Sequence, residues 1–229
     1  MRLGRLLVPA LMTAAMLAVL VGLGMWQVQR LAWKTAILAQ LDAAEQSAPV
    51  PLGAVPTPFA KVSVTGHLRP DLAARYGAEV RDLPAGAIPG AQLVVALERA
   101  GAAPLLVDLG WVPEHGPPPA MPTGDSISIT GYVRPAEHPG PFAATDDTAG
   151  RRFFTLDPAA IGAALGLPSE APFTLVALGP PPAMPDAPIP AEHLPRPANN
   201  HLQYAITWYG LAAALVVVFV IYVRKVLAA

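Results

Sequence analysis

Cysteine is absent from the 229 residues. Disulfides, thiolate catalysis, iron–sulfur clusters and zinc–thiolate sites are thereby excluded. Charge is scarce: Asp, Glu, Lys and Arg make up 14% of a chain that is 53% hydrophobic. That is too apolar for an ordinary soluble domain. Catalytic signatures are missing too, with no G-x-S-x-G, P-loop, G-x-G-x-x-G or H-E-x-x-H. Asp146 and Asp147 are adjacent in "ATDDTAG" and read as solvated turn residues rather than an acid–base pair. His67, His115, His138 and His193 are scattered through loops and strand ends and read as surface histidines. An enzyme reading has no supporting motif, and the expectation is a non-catalytic protein.

What the chain does have is two charge-free apolar runs, residues 6–26 and 202–223. Each covers roughly 20 residues, enough at about 1.5 Å per residue to cross a hydrocarbon core of about 30 Å. A cleaved signal peptide is the alternative for the first run. Its length, and its continuation into "WQVQRLAWK" rather than a small-residue cleavage site, favour an anchor that stays. All 16 acidic residues lie between Asp42 and Glu192. Nine basic residues between the two runs, Lys61 to Arg196, oppose them and leave the middle at net −7, unsuited to nucleic acid. Arg2, Arg5, Arg224 and Lys225 sit at the outer ends of the runs. They point to cytoplasmic termini, 1–5 and 224–229, with 27–201 outside the membrane.

Residues 27–46 read as a helix continuing out of the first span and ended by "SAPVP". Short runs rich in β-branched residues follow at 61–68, 92–99, 104–112, 126–133 and 173–178, bounded by Gly and Pro. "ERAGAAPLL" reads as a hairpin between two of them. "DPAAIGAALGL" (157–167) reads as a helix with Asp157 as N-cap and Pro158 at its first position. Residues 178–197 are a Pro-rich, extended connector. The predicted fold class is membrane α+β: a two-helix transmembrane hairpin carrying a mostly antiparallel, β-rich extracytoplasmic domain.

The membrane ends hold the candidate site. Trp26, Arg30 and Trp33 are four and three residues apart and share one helical stripe. One reading is an aromatic belt with a snorkelling arginine, anchoring the helix in lipid. The other is one wall of a site for a flat anionic ligand: indoles for stacking, a guanidinium for a carboxylate. His201 opens the second span, with Tyr204 and Trp208 three and seven residues on. An imidazole there can ligate haem iron, with Tyr204 and Trp208 along the ring and Arg30 on a propionate. The bland alternative is an interfacial histidine beside an Asn-rich helix start.

Two stretches carry a resemblance. "LGMWQVQRLAWK" (23–34) and "NNHLQYAITWYG" (199–210) resemble the two signatures of the surfeit-locus, or Shy, family of cytochrome oxidase assembly proteins. "VTGHLRPD", "LLVDLGWVP" and "ITGYVRPAEHPGPF" are similar to the family's internal elements, in the same order. Two departures stand out. Leu109 replaces the arginine that usually precedes G-W-V-P, and "RRFFTLD" (151–157) is a reduced form of an aromatic-rich stretch.

The resemblance implies two spans with an outer domain between them, in a bacterial inner membrane with the domain in the periplasm. It implies a part in maturing the catalytic subunit of a haem–copper oxidase, with haem a bound transiently. His201 matches the family's histidine and is the first choice for the metal. Trp26, Gln27, Arg30 and Trp33 match the first signature without roles the resemblance assigns. Expected partners are that catalytic subunit, the haem a synthesis machinery and membrane lipid, and no nucleic acid. A scaffold that clamps an oxidase intermediate without binding haem is the competing reading.

Overall fold

The computed structural model describes residues 4–84, 86–122, 124–184 and 186–228. Parts of the predicted cytoplasmic ends 1–5 and 224–229 lie outside the described residues. Among the described residues the chain order begins α1 (Gly4–Gln46), β1 (Val50–Pro51), β2 (Lys61–Leu83), β3 (Gly86–Arg99) and β4 (Ala102–Pro113). It continues with β5 (Ile127–Pro135), β6 (Arg152–Phe153), α2 (Pro158–Leu165), β7 (Phe173–Ala177) and α3 (His201–Ala228). Two compact units result, Met1–Asp42 with Arg196–Ala229, and Ala43–Pro195.

The first unit consists of α3 and most of α1, both long and apolar enough by length and composition to cross a membrane. The apolar run at 6–26 and the polar run after it form one uninterrupted helix, as the sequence predicts. Its 43 residues make a rod of about 65 Å at about 1.5 Å per residue, roughly twice a hydrocarbon core. Asp42 and Arg196 form an ion pair of 2.8 Å beside the apolar stretches.

The second unit is built on one seven-stranded sheet ordered β1-β2-β3-β4-β7-β5. Strand β2 is long enough to serve twice. Its first part, Lys61 to Gly66, pairs with β5, and His67 onward pairs with β3. The hydrogen-bonded path therefore closes on itself through β3, β4, β7 and β5. Side-chain alternation then sorts residues inside and outside the ring. Leu93, Val95 and Leu97 of β3 join Leu105, Val107 and Leu109 of β4 and Leu175 of β7 in the inner core. Val94, Ala96 and Leu106 face outward under Ile161 and Leu165 of α2. A bulge between Arg69 and Ala73 shifts the parity of β2, so Leu68 points inward and Ala74 outward.

The expectation of a mostly antiparallel sheet is corrected: the sheet is mixed. β1 and β6 run parallel to β2, and β7 runs parallel to β4. The reason for the β4–β7 pair is closure. Five strands, β2, β3, β4, β7 and β5, form the ring, and an odd number cannot alternate direction all the way round, so one neighbouring pair has to be parallel. Helix α2 starts as its sequence dictates, with Asp157 accepting from the Ala159 N–H at 3.0 Å and Pro158 opening the helix. The connector 178–197 is tied to the barrel. Trp111 N–H donates to Ile189 O at 2.8 Å, Ile189 N–H returns a bond of 2.9 Å, and Leu194 is 1% exposed.

Candidate functional site

The two apolar helices touch along one seam. On α1, Leu20, Gly24 and Gln27 are buried, at spacings of four and three. On α3 the buried positions are Ala205 and Ala212. Small residues let the two backbones approach. Gly24 shows the limit: a Cβ built there would lie 2.7 Å from the ring of Tyr209.

At one end of the seam, His201 Nδ1 lies 2.7 Å from Oε1 of Gln27. Gln27 is 8% exposed and His201 is half-buried. An amide so deeply buried needs its hydrogen bond, and an imidazole is its match. With the amide oxygen as acceptor, Nδ1 carries the proton and Nε2 presents its lone pair. That is how a second residue fixes a histidine's tautomer and ring plane for ligation.

The pairs Gln27–His201 and Gly24–Tyr209 show that the helices run antiparallel. At about 100° per residue, Trp26, Arg30 and Trp33 lie about a quarter-turn from Gln27, and Tyr204 about 60° from His201. In an antiparallel pair those offsets fall on the same flank of the seam. Gly24 and Tyr209 fall on the other. Trp26, Trp33 and Tyr204 are 52%, 49% and 53% exposed, and the Arg30 guanidinium sits 4.2 Å above the Trp33 ring. Trp208 is half-buried, close to the seam.

Of the predicted site residues, the structure thus joins Arg30 to Trp33, and gives His201 a partner the sequence reading left without a role, Gln27. Among the described residues, no hydrogen bond or ring contact joins His201 to Trp26, Arg30 or Trp33. The signal for Gln27 was present in the sequence, since it lies on the helical row of Leu20 and Gly24.

The strand-built unit gives its own motifs structural jobs. Gly110 has φ +123°, and a Cβ there would meet Ile189 O at 2.1 Å. So G-W-V-P forms a bulge that lets the connector pair with β4 and turns Trp111 onto the outer face. The Trp111 indole N–H donates to Glu79 O at 3.1 Å. In "GYVRPAE", Arg134 and Glu137 form an ion pair, and the Tyr76 hydroxyl bonds both, accepting from Arg134 at 3.0 Å. Glu137 also accepts the Leu156 N–H at 3.1 Å. Burial pushes its carboxyl up, but that N–H and Arg134 hold it below the usual range. Leu109, the departure before G-W-V-P, is an ordinary member of the inner core. In "RRFFTLD", Arg152 grips Glu114 at 2.7 Å and Phe153 is fully buried beneath α2.

Residues 14–213 match the model of the SURF1 family. A SURF1-like protein of Rickettsia felis (strain ATCC VR-1525 / URRWXCal2) is 31% identical over 216 residues, covering 91% of this chain and 94% of that protein. One from Rickettsia bellii (strain RML369-C) is 32% identical over 215 residues, covering 91% and 88%. Surfeit locus protein 1 of Mus musculus is 29% identical over 218 residues, covering 84% of this chain and 68% of that one. The match takes in the helical seam and the whole ring of strands, and this chain belongs to the SURF1 family.

Proposed function

We propose that this protein is a non-catalytic assembly factor for a haem–copper terminal oxidase, holding haem a at the membrane surface for transfer to the catalytic subunit. The observation that carries this reading is the bond between His201 and buried Gln27. It leaves a half-buried imidazole with Nε2 as a ready ligand, beside a flank that carries two indoles, a phenol and a guanidinium. A flat, apolar, doubly carboxylated ligand fits that chemistry. His201 would hold the iron, Trp26, Trp33, Tyr204 and Trp208 the ring, and Arg30 a propionate. The prosthetic group supplies the redox iron of the client enzyme. This chain's residues bind and orient it, and a single protein ligand leaves it exchangeable.

The membrane placement belongs to the same proposal. Residues 6–26 and 202–223 span a bacterial inner membrane, both termini are cytoplasmic, and the strand-built unit is periplasmic. Membrane lipid, the haem a synthesis machinery and the oxidase subunit are the partners.

The test is to produce the full chain together with haem a synthesis and purify it in mild detergent. Wild type is expected to carry a haem spectrum. His201→Ala is expected to lose it while still co-purifying with the oxidase subunit. Equal haem in both proteins removes His201 from the site. A client complex that forms with no haem on either protein favours the scaffold.

A further inference from the structure

In the strand-built unit, the outer face of the barrel holds a cavity of about 360 Å³. Asp108, 2% exposed in the middle of the apolar run of β4, lines it together with Tyr76, Glu79, Arg81, Gln92, Tyr132 and Arg134. None of these residues is used in the reading above.

The hydrogen-bond inventory of the cavity is lopsided. Among the described residues Asp108 has one partner, the Gly110 N–H on Oδ1 at 3.0 Å, and Arg134 uses only Nη2, on Tyr76 and Glu137. Arg81 uses Nε and Nη2 on Glu79, which also takes the Gln92 amide at 2.8 Å. Among the described residues the Tyr132 hydroxyl has no hydrogen bond, and the ring is 6% exposed. Left over among the described residues are four donors, Nε and Nη1 of Arg134, Nη1 of Arg81 and the Tyr132 O–H, against two acceptor oxygens, Oδ2 of Asp108 and Oε1 of Gln92. Each guanidinium already has its carboxylate, so what the cavity offers a ligand is directional donor capacity, which fits acceptor oxygens.

We infer that this cavity binds a small oxyanion, a carboxylate or a phosphate or sulfate group, on the donors of Arg134, Arg81 and Tyr132. Burial pushes the Asp108 carboxyl up to about 7. The Gly110 N–H, Arg134 and Arg81 pull it down and Glu79 pushes it up. Tyr132 and Tyr76 are themselves shifted up by burial, so both keep their protons. A protonated Asp108 is a further donor to an anion, so anion binding is coupled to proton uptake as pH rises through about 7. The group can come from a soluble metabolite or from a phospholipid head.

The test uses the full chain in neutral detergent, with sulfate as a probe that does not titrate between pH 6 and pH 8. Calorimetry is expected to show one saturable site whose affinity falls about tenfold across that range, as a carboxyl near pH 7 loses its proton. Asp108→Asn keeps a donor and is expected to bind with no pH dependence. Tyr132→Phe, which removes only a hydroxyl, is expected to weaken binding severalfold without lowering the thermal midpoint. Phosphatidylglycerol vesicles competing with sulfate would assign the site to a lipid head. Competition by butyrate but not by vesicles would assign it to a soluble ligand. No sulfate binding in wild type overturns the proposal. So does saturable methylammonium binding abolished by Asp108→Asn, which would make this a cation site. Haem content enters none of these readouts, so failure here leaves the haem reading standing, and the reverse.

Discussion

The ring of Tyr209 occupies the place a side chain at Gly24 would need: a Cβ there would lie 2.7 Å from Cε1 and 2.8 Å from Cζ of that ring. The seam between α1 and α3 is thus set by a missing atom on one helix and an aromatic on the other. Gly24→Val has to turn the exposed ring of Tyr209 aside and is expected to cost at most about 1–3 kcal/mol. The measurement is the thermal midpoint of the full chain in detergent. Adding Tyr209→Ala should recover part of the loss, because it removes the atoms that collide. If the two losses simply add, the contact is not what sets the seam.

Gln27 is expected to matter through His201. Gln27→Leu keeps the seam filled but leaves Nδ1 of the imidazole without its acceptor, at a cost of about 1–3 kcal/mol. If the histidine is a ligand, losing such a supporting bond should lower haem affinity about 10- to 100-fold. Gln27→Glu keeps an acceptor and should lose less. Haem titration of the three proteins distinguishes these outcomes, and equal affinities would show that Gln27 only fills space.

Gly110→Ala is expected to strip the connector from β4. The substitution puts a Cβ 2.1 Å from Ile189 O on a backbone with φ +123°. Amide exchange at Trp111 and Ile189, whose N–H groups bond each other's carbonyls, should then rise together. Unchanged protection at both would mean the bulge tolerates a side chain.

Asp108 predicts how the fold responds to pH. Its folded pKa, about 7, lies above the unfolded value of about 3.9. Between those values the folded chain holds a proton that the unfolded chain has released, so stability falls as pH rises from about 4 to about 7 and then levels. Three pKa steps correspond to on the order of 4 kcal/mol. Chemical denaturation of wild type and Asp108→Asn at pH 5 and pH 8 checks it. The variant should lose this slope, and parallel profiles would mean Asp108 is ionised in the folded chain at both pH values.

The legible parts of the fold were those where one physical rule dominated. Apolar length marked α1 and α3. Alternation of β-branched residues marked 92–99 and 104–112 inside β3 and β4, and Asp157–Pro158 fixed the start of α2. The second half of β2 was not read as strand. Its stretch "RPDLAARYGAEVRDL" holds Pro70, Gly77 and several charges, and it carries bulges after Arg69 and Tyr76 that break the alternation. The parallel pairing of β4 with β7 depends on closure of a five-strand ring, which no local pattern encodes.

The sites divide the same way. His201 was legible because an imidazole at the lip of an apolar run is conspicuous. Gln27 was hidden between two tryptophans that drew the chemistry to themselves. Asp108, a lone carboxyl within "PLLVDLGWV", was also visible in principle, since an unpaired charge in a buried strand is costly and needs a reason.

The most direct test of the account is the haem content of His201→Gly, purified from cells making haem a, with and without added imidazole. The account predicts that the variant loses the haem spectrum and that free imidazole, occupying the vacated position beside Gln27, restores it. A variant that retains wild-type haem content without imidazole would contradict it.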